Sequence, residues 1–197
     1  TFDTYLDYVQ QGIYLWENSP YVKNYPELYF LNYVLFHRTN DEEIKPCRTY
    51  FWKKIKDKVQ GKAMVEAALE INHWCAGEVM YQGTDMRTGS ALEIYRSGVG
   101  RCGEEAVFVV NVMRSAGIPA RPVYVPRWSH CDDNHAWVEV WCDGDWHYLG
   151  ACEPEAVLDK GWFTNAASRA MMIGSRWYDR AMPDEKVIGK DGMNRII

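Results

Sequence analysis

CGEEAVFVVNVMRSAGIPARPVYV, residues 102–125, reads as a helix followed by a strand. Apolar residues at Ala106, Val107, Val109, Val110, Val112 and Met113 are too closely set for a single stripe. The spacing predicts a helix over Glu104 to Ala116, buried on most sides. Gly117 stands where a left-handed C′ residue would end it. Ile118 to Val125 then has strand character, with Pro119 and Pro122 suited to its beginning and to an edge, because proline gives a ladder no N–H.

Working outward, HAWVEVWC at His135 to Cys142 alternates strictly. His135, Trp137, Glu139 and Trp141 fall on one face, and Ala136, Val138, Val140 and Cys142 on the other. Asp143-Gly144 supplies a hairpin turn, and Trp146 to Cys152 returns. A helix followed by an antiparallel sheet predicts an α+β fold.

Upstream, Thr1 to about Asn40 is rich in Tyr, Leu and Val, and Leu28 to Phe36 suits short helices punctuated at Pro20 and Pro26. The aromatics there, and His37, read as packing residues. Lys53 to Met80 fits a long amphipathic helix interrupted or loosened at Gly61. Gly83 to Gly89 is loop, and Ser90 to Tyr95 suits a further helical turn or two. The expected division is a helical subdomain over 1–52, a core over 53–165, and a tail over 166–197 leading to further parts of a larger protein.

At 197 residues and 47% hydrophobic content the chain can close one sizeable core. Its net charge of −5, without a basic stripe, excludes a nucleic-acid partner. No run reaches the roughly 18 apolar residues of a membrane span. The chain begins at Thr1, as a processed product or an excised piece would, which leaves secretion or surface display open. Cys47, Cys75, Cys102, Cys131, Cys142 and Cys152 form no CxxC pair. They read mostly as small buried hydrophobes, with a bridge among Cys131, Cys142 and Cys152 left open. No metal-ligand set or cofactor fingerprint is present.

One cysteine stands apart. Cys102 sits where a helix begins, a position that can lower a thiol pKa from about 8.5 to roughly 3.5–7.5, and the first-turn amides can donate to an oxyanion. Gly98, Gly100 and Gly103 around it permit close substrate approach; without the Lys-Ser/Thr of a P-loop they do not form a phosphate site. His135 opens a strand just after a polar loop and is the natural base, with His130 as its rival.

RSGVGRCGEE at 96–105, followed by MRSAGIPAR at 113–121, resembles the nucleophile segment of the transglutaminase-like superfamily, and NHAWVEV at 134–140 with Trp146 resembles that family's histidine hairpin. The resemblance covers about Ala91 to Pro154. It implies a papain-like fold and acyl transfer through a thioester, with Cys102 as nucleophile, His135 as base, and a peptide, protein or cell-wall peptide as substrate. Hydrolysis and transamidation share the thioester step. In relatives an Asp usually lies near the end of the strand after the Trp, where this chain has Gly150.

Glu153 is the nearest carboxylate and the candidate for orienting His135. A two-residue hairpin loop sets Cys142 opposite Asp145 and His135 opposite Cys152, so that Glu153 needs a bulge or bend before Pro154 to face His135. A three-residue loop sets it opposite directly. Asp132, Asp133 and Glu139 are substitutes. Trp74 and Trp137 could donate an indole N–H or cover the cleft, though packing suits both, and Arg127-Trp128 suits a groove wall or a surface cation–π contact. The missing Asp also admits a second reading, a peptide- or glycan-binding module that keeps the fold without turnover.

Overall fold

The computed structural model describes residues 1–83 and 85–175. The first helix, α1 (Phe2–Asn18), leads through a 3-10 turn at Val22–Asn24 into α2 (Glu27–Phe30) and a π-helical turn, Leu31–Leu35. The segment expected to form a long helix interrupted or loosened at Gly61 forms two helices, α3 (Arg48–Val59) and α4 (Met64–Glu78). Gly61, at φ +74°, lies in the break between them, so it interrupts the helix outright.

Next come β1 (Met80–Tyr81), α5 (Ala91–Ser97) and β2 (Val99–Gly100). Ser90 and Glu93 cap α5 reciprocally, the Ser90 hydroxyl accepting the Glu93 N–H and the Glu93 carboxylate accepting the Ser90 N–H. β1 and β2 pair in parallel, Met80 with Val99, which clips the end of α4 to the strand leading into Cys102.

The helix α6 (Cys102–Ser115) is the axis of the fold, with every residue from Gly103 to Ser115 buried. β3 (Ala120–Val125), β4 (His135–Cys142) and β5 (Asp145–Leu149) follow, then α7 (Thr164–Ala167) and β6 (Gly174–Ser175). The antiparallel sheet has the order β5-β4-β3-β6. Pro122 is therefore not on a bare edge: β6, which the tail gave no reason to expect, pairs with Val123 and Tyr124 just beyond it.

Val138, Val140 and Cys142 share one buried cluster with α6 and with side chains from Tyr8 to Ala151, so the first 52 residues pack into the same core as the sheet. Buried Arg48 and Arg114 join in by donating to the carbonyls of Val34, Phe36 and Arg38. The opposite sheet face carries a smaller cluster of Val123, Val125, Trp128, Trp137 and Phe163. All six cysteines are free thiols, so no bridge joins Cys131, Cys142 and Cys152. Among the described residues no helix is long and apolar enough to cross a membrane. The segment 176–197 of the expected tail lies outside the described residues.

Candidate active site

Cys102 and His135 line one cavity of about 270 Å³, together with Asn40, Arg101, Gly103, Ala106, Asn134 and Ala136 and the Pro122–Pro126 segment. Helix α6 delivers the thiol at its only end that is not fully buried, and β4 delivers the imidazole at its first residue. The Arg101 guanidinium donates to the carbonyls of Asp85 and Arg87 and to the Thr88 hydroxyl, pinning the loop beside Cys102. Glu104 accepts the backbone N–H of Arg101 and of Gly89, so its carboxylate serves the helix N-terminus.

Burial raises the Cys102 thiol above its ordinary value, against hydrogen bonds from the Ala136 and Gly103 backbone and the field of Arg101. This corrects the expectation of an acidic thiol: the helix terminus does favour the thiolate, but desolvation outweighs it. Burial also pushes His135 down to about 4, with Asp133 opposing weakly. At neutral pH the pair therefore stands as thiol and imidazole. His130 is exposed and does not line the cavity.

Among the described residues His135 Nε2 is buried without a hydrogen-bond partner, so nothing there occupies the place of an orienting carboxylate. Asp132 pairs with Arg127 and Glu139 with Arg121, while Asp133 is exposed. The position of Glu153 is set by the end of the hairpin. The hairpin has the two-residue loop, with Cys142 opposite Asp145, and the ladder ends at Leu149 opposite Val138. At Gly150 the chain turns sharply, Cys152 adopting φ +57° and the Glu153 N–H returning to the Gly150 carbonyl. Buried Asn72 of α4 holds this turn, donating to the Gly150 carbonyl at 2.9 Å and accepting from the Cys152 N–H at 3.0 Å.

The turn redirects the chain between Gly150 and Glu153. A Cβ added to Gly150 would fall on the Glu153 carboxylate and 2.8 Å from its Cβ, so the Glu153 side chain fills the space a side chain at 150 would take. The carboxylate accepts from the Trp162 indole N–H, 3.0 Å from each oxygen, and not from His135. The Trp162 ring lies 4.7 Å from the His135 ring, centroid to centroid. Trp162 thus bridges the two groups.

Three further residues escaped the sequence reading. Asn40 enters the cavity from a loop remote in sequence, and Trp162 sits in a stretch without pattern. Glu105 is buried beside Glu153, and burial, then the Glu153 and Glu104 charges, push its carboxyl up to about 8. Its one visible signal was position, two residues past the thiol. Trp74 packs against Tyr95 and Phe108, and Trp137 against Phe163, so both are packing residues. Trp128 is buried in the smaller cluster. Among the described residues no group of three or more His, Cys, Asp or Glu side chains could hold a metal ion.

Comparison with known proteins places this arrangement. A Cytophaga hutchinsonii protein named as a candidate cysteine protease superposes with a TM-score of 0.44 at 18% identity, over 76% of this chain and 56% of that one. The chain thus spans little more than half of that protein. Legionella pneumophila LapG superposes with a TM-score of 0.48 at 16% identity, over 68% of this chain and 75% of LapG. Comparison with curated protein sequences gives no match. The sequence profile described as Transglutaminase-like superfamily matches residues 53–151, half of the chain, from within α3 through the hairpin. Helix, thiol and histidine hairpin all fall inside that match, and the chain belongs to the transglutaminase-like superfamily.

Proposed function

We propose that the chain is a cysteine-dependent enzyme that hydrolyses peptide-like amides or transfers their acyl groups, through a thioester on Cys102. The observation that carries this reading is the common cavity lined by a partly buried thiol at a helix N-terminus and a neutral, buried imidazole. In the proposed reaction, Cys102 Sγ attacks the substrate carbonyl carbon while His135 takes the thiol proton. The oxyanion forms against the Cys102 amide, with Asn40 as a second donor. His135 then gives its proton to the departing amine, leaving the thioester. Water or an acceptor amine attacks in turn, and His135 takes its proton and returns it to sulfur.

Glu153 is assigned as the residue that orients His135. It does so once the Trp162 indole releases it, because Nε2 needs an acceptor when the imidazolium forms. The catalytic unit is assigned to 53–165, with 1–52 as a supporting helical subdomain, and the substrates are peptides, proteins or cell-wall peptides. A second reading, a binding module without turnover, draws on the unpartnered Nε2 and on Gly150.

The deciding experiment is intact-mass analysis after p-nitrophenyl acetate treatment. An acetyl group on Cys102 that forms slowly in His135→Ala and is released to water or to an added amine supports the enzyme. No acylation of wild type, or acylation unchanged in Cys102→Ala, overturns the enzyme reading.

A further inference from the structure

Two buried polar groups around the reacting pair have no hydrogen-bond partner among the described residues. One is His135 Nε2. The other is the carboxyl of Glu105, which is 4% exposed and lies one helical turn beyond Cys102 on α6. A buried polar group left without a hydrogen bond is costly, and this neighbourhood carries that cost twice.

Glu153 is linked to both groups. Its charge acts on Glu105, and its carboxylate accepts the indole N–H of Trp162, whose ring lies against that of His135. A carboxylate has two oxygens and several lone pairs, and Glu153 spends both oxygens on that single N–H. Glu104, the other carboxylate acting on Glu105, is committed to the backbone N–H groups of Gly89 and Arg101.

The titratable groups around Glu105 are Cys102 and Glu104 of its own helix and Cys152 and Glu153 of the turn after Gly150, with Cys75 of α4 beside Cys152. Burial keeps the three thiols protonated at neutral pH. Among the described residues no cation acts on Glu105, so burial and the two carboxylate charges hold its proton in place up to about pH 8. Glu153 is less buried and is stabilised as the anion by Trp162, so the proton of the pair resides on Glu105.

We propose that Glu105 is a positioning residue: once the Trp162 indole releases Glu153, the neutral Glu105 carboxyl donates to one Glu153 oxygen and leaves the other to accept from His135 Nε2. The proposal rests on the assignment of Cys102, His135 and Glu153 as the reacting and orienting groups. Both orphaned groups are then satisfied by one carboxylate, and no proton changes owner, so the Glu153 charge stays available to the imidazolium. When Glu105 ionises, the donor is lost and two carboxylates repel each other.

The test follows acetylation of Cys102 by p-nitrophenyl acetate between pH 6 and 9 in wild type, Glu105→Gln and Glu105→Leu. Glu105→Leu should be about tenfold slower at pH 7, through loss of one hydrogen bond to a charged acceptor. Glu105→Gln keeps a neutral donor and should retain the wild-type rate at pH 7. Above pH 8 the wild-type rate should fall relative to that of Glu105→Gln, which has no proton to lose. Melting curves verify the fold of each variant, and should Glu105→Leu unfold, the ratio of Glu105→Gln to wild type decides alone. A ratio that stays constant from pH 6 to 9, or a folded Glu105→Leu as fast as wild type, overturns the proposal; acetylation that still requires Cys102 and His135 then leaves the enzyme reading standing. A wild type that is not acetylated overturns both. Carboxyl-carbon NMR of labelled glutamate should show Glu105 titrating about pH 8 and lower in Glu153→Gln. Titration of Glu105 in the ordinary carboxylate range, or independently of Glu153, also overturns the proposal.

Discussion

Alkylation of Cys102 by iodoacetamide between pH 5 and 10 should show a single rise, with its midpoint above that of a free thiol. The thiol is raised from an ordinary 9.0 and the imidazole lowered to about 4. Moving the proton from sulfur to nitrogen is therefore uphill by more than ~7 kcal/mol, at 1.36 kcal/mol per pH unit. Attraction within the resulting ion pair returns only part of that. The remainder keeps the ion pair a minor species. The imidazole thus acts during attack rather than before it, and His135→Ala should slow p-nitrophenyl acetate acylation while leaving the alkylation midpoint nearly in place. A plateau of alkylation below pH 7 that disappears in His135→Ala would refute this reasoning, because it requires a standing thiolate–imidazolium pair.

Other outcomes follow from the same neighbourhood. Because His135 binds its proton at about 4 when folded and at 6.5 when free, stability is complete above pH 6.5 and falls by about 3 kcal/mol as pH drops to 4. Urea midpoints of wild type and His135→Leu compared at pH 4.5 and 7 read that loss. Glu105 has the opposite sign: its folded value near 8 means stability falls as pH rises from 4.5 through 8, so Glu105→Gln should gain a few kcal/mol at pH 9 and little at pH 5. Gly150→Ala should cost ~1–3 kcal/mol in thermal unfolding, because its methyl meets the Glu153 carboxylate. Trp162→Phe removes the indole N–H that holds Glu153, and acylation should quicken in that variant and slow in Glu153→Gln.

The alternation from His135 to Cys142 and the unbroken apolar run after Cys102 were legible because each follows one period and one burial environment. They carry the helix, the hairpin and both reacting side chains. Gly61 was legible as an interruption or a loosening without a choice between them, since the apolar spacing on either side suits one helix or two. Glu153 could be named but not oriented, because its place depends on a turn after Gly150 that Asn72 holds from a helix nearly 80 residues away. Asn40 and Trp162 reach the cavity region by tertiary packing alone, and no local pattern announces such contacts. The thiol's direction of shift was misjudged for a related reason: a helix N-terminus is visible in sequence, whereas desolvation is a property of everything packed around it.

The two hydrophobic clusters give the reacting groups unequal anchorage. Cys102 is fastened to the large one through α6, whereas His135 rests among Trp137, Phe163 and Trp162, beside a cluster of five buried residues. Regions with fewer buried apolar contacts open at lower free-energy cost than the molecule as a whole. Heating should therefore separate the partners before it melts the fold, so that the thermal midpoint for acylation lies below the calorimetric one. Amides of β3 and β4 nearest His135 should exchange with solvent sooner than those at the centre of α6.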